Sequence, residues 1–165
     1  MKGSLFVIAL ALLTTVAAAQ AAVVTRTLGG YTLSLNTNGD LWISSDHEIL
    51  RIDAAHRDAS IAAYQNFAHW SKMGHDNWVV SKDKQVGWIT HEATSENIAY
   101  SEAYILKVDE KGRSTLAISQ VTLSKDSSKF QTKVIGQWDE GTVNLWIKLF
   151  ELVPQMVQDL AKQSP

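Results

Sequence analysis

The sequence predicts an α+β fold: an antiparallel β-meander sheet covered on one face by one central helix and a C-terminal helix. Three observations predict it. Apolar and polar residues alternate through 31–52 and again through 77–138, which is the period of half-buried strands. Between these stretches, residues 59–73 place apolar side chains at spacings of three and four, which is the period of one helix face. The turns joining the alternating segments have two to six residues. That is too short for a parallel crossover, so neighbouring strands pair antiparallel. A helix laid on one face of such a sheet buries the apolar side of both.

Tyr31–Leu35 alternates and reads as a strand. Asn38-Gly39 follows, a strong hairpin signal because both residue types tolerate positive φ. Leu41–Ser44 returns as the partner strand, and Ile49–Ile52 is a third short strand. Gly29-Gly30 reads as a flexible lead into the first of these. The helix follows, with Ile61, Tyr64 and Ala68 on one stripe and Ala63, Phe67 and Trp70 beside it. Asp58 is the expected N-cap and Gly74 the expected C-terminal stop. Further strands are expected near 77–81, 85–91, 97–108, 114–123 and 129–138. The end, 142–163, reads as mostly helical and broken near Pro154, since proline costs about 3 kcal/mol inside a helix. A strand followed by a short helix is the other reading of that segment. This element order is similar to that of helix-grip ligand-binding folds. The resemblance lies in order alone, and no motif carries it.

The N-terminus reads as an export signal. Lys2 supplies a positive charge, Leu5–Leu13 is an unbroken apolar run, and Ala19-Gln20-Ala21 fits a small-x-small cleavage site. The expected division is therefore a signal peptide at 1–21 and a single α+β domain at 22–165, with no integral membrane segment after cleavage. The chain has no cysteine, which excludes a disulfide scaffold, a thiolate metal site and a cysteine nucleophile. None of its asparagines has a hydroxyl residue two positions on, so there is no N-glycosylation acceptor. An exported, cysteine-free, acceptor-free domain points to a bacterial periplasmic or secreted protein. The net charge of −2 over 165 residues argues against nucleic acid as a partner, because phosphate binding needs clustered Lys and Arg.

The tests for catalytic motifs fail. His91-Glu92 and His47-Glu48 both lack the second histidine of a zincin helix. His56-Arg57-Asp58 matches the tripeptide of a kinase catalytic loop, but the Gly-rich loop and the other kinase signatures are missing. Ser34 to Ser45 contains the glycine of a calcium loop without its first Asp or its terminal Glu. There is no phosphate-binding glycine loop and no nucleophile elbow. His69 and His75, beside Asp76, could converge on a metal, but proximity is the only argument for it. The expectation is no catalytic residue, no metal and no cofactor.

Six tryptophans are the unusual feature, fit either for core or for the wall of a ligand pocket. On the strand at 97–108, Glu102 shares a face with Tyr100, Tyr104 and three aliphatic residues. A carboxylate there needs hydrogen-bond partners and would suit the polar end of a pocket. In 129–138 the alternation places Phe130, Val134 and Trp138 on one face. Leu145–Val153 is apolar nearly all round and is expected to be buried in its own domain, with docking on a lipid or partner as the alternative. These observations together predict a non-enzymatic binding domain for a small apolar or amphipathic ligand, held by Trp88, Tyr100, Glu102, Tyr104 and Trp138. The alternative is a protein–protein interaction role of inhibitor or immunity type. A hydrolase with an unrecognised site is the third reading.

Overall fold

A computed structural model describes residues 22–77, 83–94, 98–123 and 130–163. The expected signal peptide lies outside these residues. So does the strand expected at 77–81, apart from Asn77, which closes the central helix. The chain is α+β with antiparallel sheet and helices packed against it, as the alternating and helical periods require. Its strands divide into two four-stranded meanders. Strands β1 (Val23–Leu28), β2 (Tyr31–Asn36), β3 (Leu41–Ser44) and β4 (Ile49–Ile52) form the first. The helix α1 (Arg57–Asn77) follows. Strands β5 (Asp83–His91), β6 (Tyr100–Val108), β7 (Ser114–Leu123) and β8 (Phe130–Asp139) form the second. Helices α2 (Glu140–Phe150) and α3 (Val153–Gln163) end the chain. One continuous core joins Leu33, Leu35, Leu41 and Ile43 of the first sheet to Leu106, Leu116 and Ile118 of the second. Tyr64, Phe67, Trp146, Leu149 and Met156 of the three helices lie between them.

Several local expectations need correction. Gly29-Gly30 is the turn of a hairpin and not a lead: Leu28 pairs with Tyr31, and both glycines have positive φ. This is the geometry that matches a two-residue turn to strand twist. In the Asn38-Gly39 turn only Gly39 has positive φ, while the Asn36 side chain accepts from the Asn38 and Asp40 amides. Asp58 is not the cap of α1 but lies in its first turn. The His56 carbonyl accepts from the Ser60 amide, so His56 holds the cap position. Gly74 does not stop this helix, which runs on to Asn77.

The C-terminal segment is helical and broken, as the proline predicts. Asp139 caps α2 by accepting from the Thr142 amide at 2.8 Å, so the segment opens as a helix rather than as the alternative strand. Pro154 sits in the first turn of α3, where its missing N–H leaves nothing unpaired. Most of the apolar run packs into the protein's own core: Trp146, Leu149, Phe150 and Val153 are buried, Leu145 and Ile147 are partly buried, and Leu152 is exposed.

Two bulges decide which residues face that core. In β5, Gln85 pairs with Ile105 and Gly87 with Tyr104, leaving Val86 as the extra residue. In β8, Gly136 pairs with Ile118 and Val134 with Ser119, leaving Ile135 extra. A bulge shifts the alternation by one residue. The expected common face of Phe130, Val134 and Trp138 is therefore split. Trp138 lies opposite the buried Leu116, whereas Val134 and Phe130 are exposed on the other side.

Candidate functional site

The site forms where the end of β4 meets the start of α1, across the edge of the second sheet. Strand β4 brings Leu50, Arg51 and Ile52, and the short connection that follows brings Asp53 and His56. The first two turns of α1 add Ser60 and Tyr64. Strand β5 contributes His91 at its last position, and β6 contributes Tyr100, Glu102 and Tyr104 from alternate positions. Ile118 and the bulge residue Ile135 close the apolar side. The resulting half-closed cavity has a volume of about 160 Å³.

Histidine 91 is the centre of the polar side. It pairs with Tyr100 across β5 and β6, and the two rings stack at 4.3 Å and 10°. The His56 ring lies 4.3 Å away and tilted. His91 Nδ1 is 3.4 Å from Asp53 Oδ2, and His91 Nε2 is 3.6 Å from Glu102 Oε2. His91 Nε2 is nevertheless buried without a hydrogen bond.

Asp53 is shared between the two imidazoles. Its Oδ1 lies 2.8 Å from His56 Nδ1 and also accepts from the His56 amide at 3.0 Å. Burial alone would raise the Asp53 carboxyl. The hydrogen bonds from the His56 side chain and backbone, with the nearby His56 and His91 charges, outweigh burial and hold it below the ordinary carboxylate value. One donor atom from each of Asp53, His56 and His91 lies within 4.8 Å of the others, so these three residues could hold a metal ion.

Glu102 is held from the opposite side. The Tyr104 hydroxyl donates to its Oε2 at 3.2 Å and lies 3.5 Å from Ser60 Oγ. Burial, then the Glu102 charge, pushes the Tyr104 phenol well above its usual value, so it stays a neutral donor. The Tyr100 phenol is raised for the same reasons. Tyr64 is fully buried, and that burial raises its phenol well above the usual value. Its ring meets the Tyr104 ring edge-on at 5.6 Å, which fixes the floor of the cavity against α1.

Of the five residues expected to bind a ligand, Tyr100, Glu102 and Tyr104 line this cavity together. Trp88 and Trp138 do not. Trp88 lies across from Ala103 on the outer face of the second sheet, half exposed, and its indole N–H donates to Thr90 Oγ1 at 3.3 Å. Trp138 packs edge-on against Trp146 at 5.0 Å and donates its indole N–H to Glu48. His69 stands against Trp70 on α1, and the side chains of His75 and Asp76 lie outside the described residues. Sequence reasoning missed Asp53, His56 and His91. The local signal was the spacing Asp53-x-x-His56, which is weak without knowing that β5 ends beside it.

The chain was compared with family models, curated proteins and solved structures, and it matches none of them. Among the described residues, no helix is long and apolar enough to cross a membrane.

Proposed function

We propose that this chain is an exported, non-enzymatic domain that binds one small amphipathic molecule in the cavity between β4, α1 and the second sheet. The observation that carries this reading is the two-sided lining of a half-closed space. Ile52, Ile118 and Ile135 supply apolar wall, while Asp53, His91, Glu102 and Tyr104 converge on the other side. Binding sites combine apolar area with a few fixed polar groups in this way. A volume of about 160 Å³ suits a compact molecule with one polar end rather than a long acyl chain. The export reading rests on the charged, apolar and small-residue segments of the first 21 residues.

Native mass spectrometry on protein purified under mild conditions, repeated after denaturing extraction, tests this reading. The expected result is an extra mass that leaves on denaturation and is lost or weakened in Glu102→Gln. A bare chain at every step, with the fold intact, overturns it.

A second reading has its own observation. The outer face of the second sheet carries the cross-strand row Trp88, Ala103, Ser119 and Val134, with large residues at its ends and small ones in the middle. Trp88 and Val134 are about half exposed. Such a face favours a surface-mediated partner role. Co-purification of a protein that is lost in Trp88→Ala would support it.

A further inference from the structure

The polar side of the cavity has the form of a metal site with a supporting shell. We propose that Asp53, His56 and His91 bind a divalent transition-metal ion of the zinc type. In this arrangement Glu102 orients His91, and an open coordination position faces the cavity. The inference deepens the small-molecule reading, since the open position would take a donor atom of the bound ligand.

Four observations carry it. The first is the donor set: two imidazoles and one carboxylate whose ligating atoms lie within 4.8 Å of one another. Zinc bound at about 2.0–2.2 Å from such atoms needs only small rotations to gather them. The second is the direction of the rings. His56 presents Nδ1 to Asp53 Oδ1, and His91 presents Nδ1 to Asp53 Oδ2. Both imidazoles therefore turn a ring nitrogen toward the one Asp53 carboxylate, His56 to one oxygen and His91 to the other. The third is the orphan on the far side of His91. Its Nε2 is buried and unpaired, 3.6 Å from Glu102 Oε2. A metal-ligating histidine characteristically donates its other ring N–H to a carboxylate. Drawing His91 Nδ1 onto an ion leaves the proton on Nε2, where Glu102 can accept it. The fourth is that Glu102 is itself fixed by the Tyr104 hydroxyl, while the stack on Tyr100 fixes the plane of His91.

The chemistry selects the ion. Two imidazoles suit zinc, cobalt, nickel or copper, whereas magnesium and calcium prefer all-oxygen sites. Three protein ligands leave a position open, as in sites that engage a small molecule rather than purely structural ones. Glu102 is a positioning residue in this arrangement and not a ligand.

Isothermal titration of the purified protein with zinc chloride alone tests the proposal, with magnesium chloride as the contrasting probe. The expected result is one zinc per chain and no response to magnesium. Asp53→Asn, His56→Ala and His91→Gln should each abolish binding, and Glu102→Gln should weaken it about 10- to 100-fold. The exposed histidines 47 and 69 serve as controls, and His47→Ala and His69→Ala should leave binding unchanged. Circular dichroism reports whether each variant folds. Asp53→Asn, which keeps the side-chain shape, is the variant to rely on if His91→Gln does not fold. Cobalt(II) absorbance gives a readout that a merely structural role for Glu102 would not move, and Glu102→Gln should shift the visible spectrum of the bound ion. Absence of zinc binding by the folded protein overturns the inference, as does binding that survives in Asp53→Asn but is lost in His69→Ala. If zinc fails while native mass spectrometry still finds an organic ligand, the metal site falls and the pocket reading stands. If zinc binds to a chain that carries no organic ligand, the outcome is the reverse.

Discussion

The indole N–H of Trp138 donates to Glu48 Oε2 at 2.6 Å, across 90 positions of sequence and from the second sheet to the loop that leads into β4. The second oxygen of Glu48 accepts from the Tyr31 hydroxyl at 3.2 Å. Tyr31 and Trp138 both meet the ring of the buried Trp146 edge-on, at 5.7 and 5.0 Å. One carboxylate from the loop before β4 thus closes a ring of aromatics in which the two sheets and α2 meet. Hydrogen bonds to a charged group are each worth about 1.5–3 kcal/mol. Glu48→Ala should therefore lower stability by about 2–3 kcal/mol in urea unfolding, and Glu48→Gln by less because it keeps one acceptor. A loss below about 0.5 kcal/mol in the alanine variant would show that the clasp contributes little.

Element types could be read in the sequence because each carries its own period. The strands at 31–35, 41–44 and 49–52 and the helix through Ile61, Tyr64 and Phe67 stand where alternation and the helical stripe place them. Facing was legible only where no bulge intervened. Tyr100, Glu102 and Tyr104 keep alternate register in β6 and share one wall. Val86 and Ile135 are ordinary strand residues by type, yet each shifts the alternation at its position. The β5 bulge parts Trp88 from the buried Val86 and leaves it on the outer face, whereas Trp138 faces inward opposite Leu116 but stands farther along the sheet, against Trp146 and Glu48. The division into two sheets was not legible either, since pairing partners depend on where α1 returns the chain. That same return brings His91 to Asp53 and His56; the spacing of the latter two is local, but nothing in the sequence ties His91 to them.

Gly87 lies under α1 at the β5 bulge, where a Cβ would come within 2.4 Å of the Ala63 Cβ and 3.3 Å of the Tyr104 Cβ. Helix and sheet touch there with no room for a methyl group, next to the wall that holds Ser60 and Tyr64. Gly87→Ala should destabilise by about 1–3 kcal/mol through overpacking. Ala63→Gly alone should cost about 1 kcal/mol as a glycine in a helix. The double variant should lose less than the sum, because removing one methyl makes space for the other. Denaturant unfolding of all four proteins measures this coupling, and strict additivity would contradict the close approach.

Trp88 and Tyr104 should separate in their effects. Trp88 is half exposed on the outer face, so Trp88→Ala should cost about 1 kcal/mol or less and leave occupancy of the cavity unchanged. Tyr104 is buried and donates to Glu102. Tyr104→Phe removes that donor, leaves the carboxylate less fixed and should reduce occupancy while the ring keeps its packing on Tyr64. Native mass spectrometry alongside thermal unfolding distinguishes the two. Loss of the bound mass in Trp88→Ala with Tyr104→Phe unaffected would move the site to the outer face.

The alkaline limit of the fold should be set by Tyr64 and Tyr104. Burial raises both phenols above their ordinary value of 10.0, with the Glu102 charge adding to the effect. The folded state therefore holds these protons at a pH where the unfolded chain has released them. Their contribution to stability is fully present below about pH 10 and declines as pH rises through the unfolded value toward the higher folded one. The tyrosinate absorbance of the two residues should rise only together with loss of the circular dichroism signal, in one cooperative step. Tyr104→Phe removes one of the two groups and should shift that step to higher pH relative to its own stability at neutrality. Smooth ionisation of Tyr64 and Tyr104 near pH 10 with the fold intact would mean that neither phenol is sealed between α1 and the sheet.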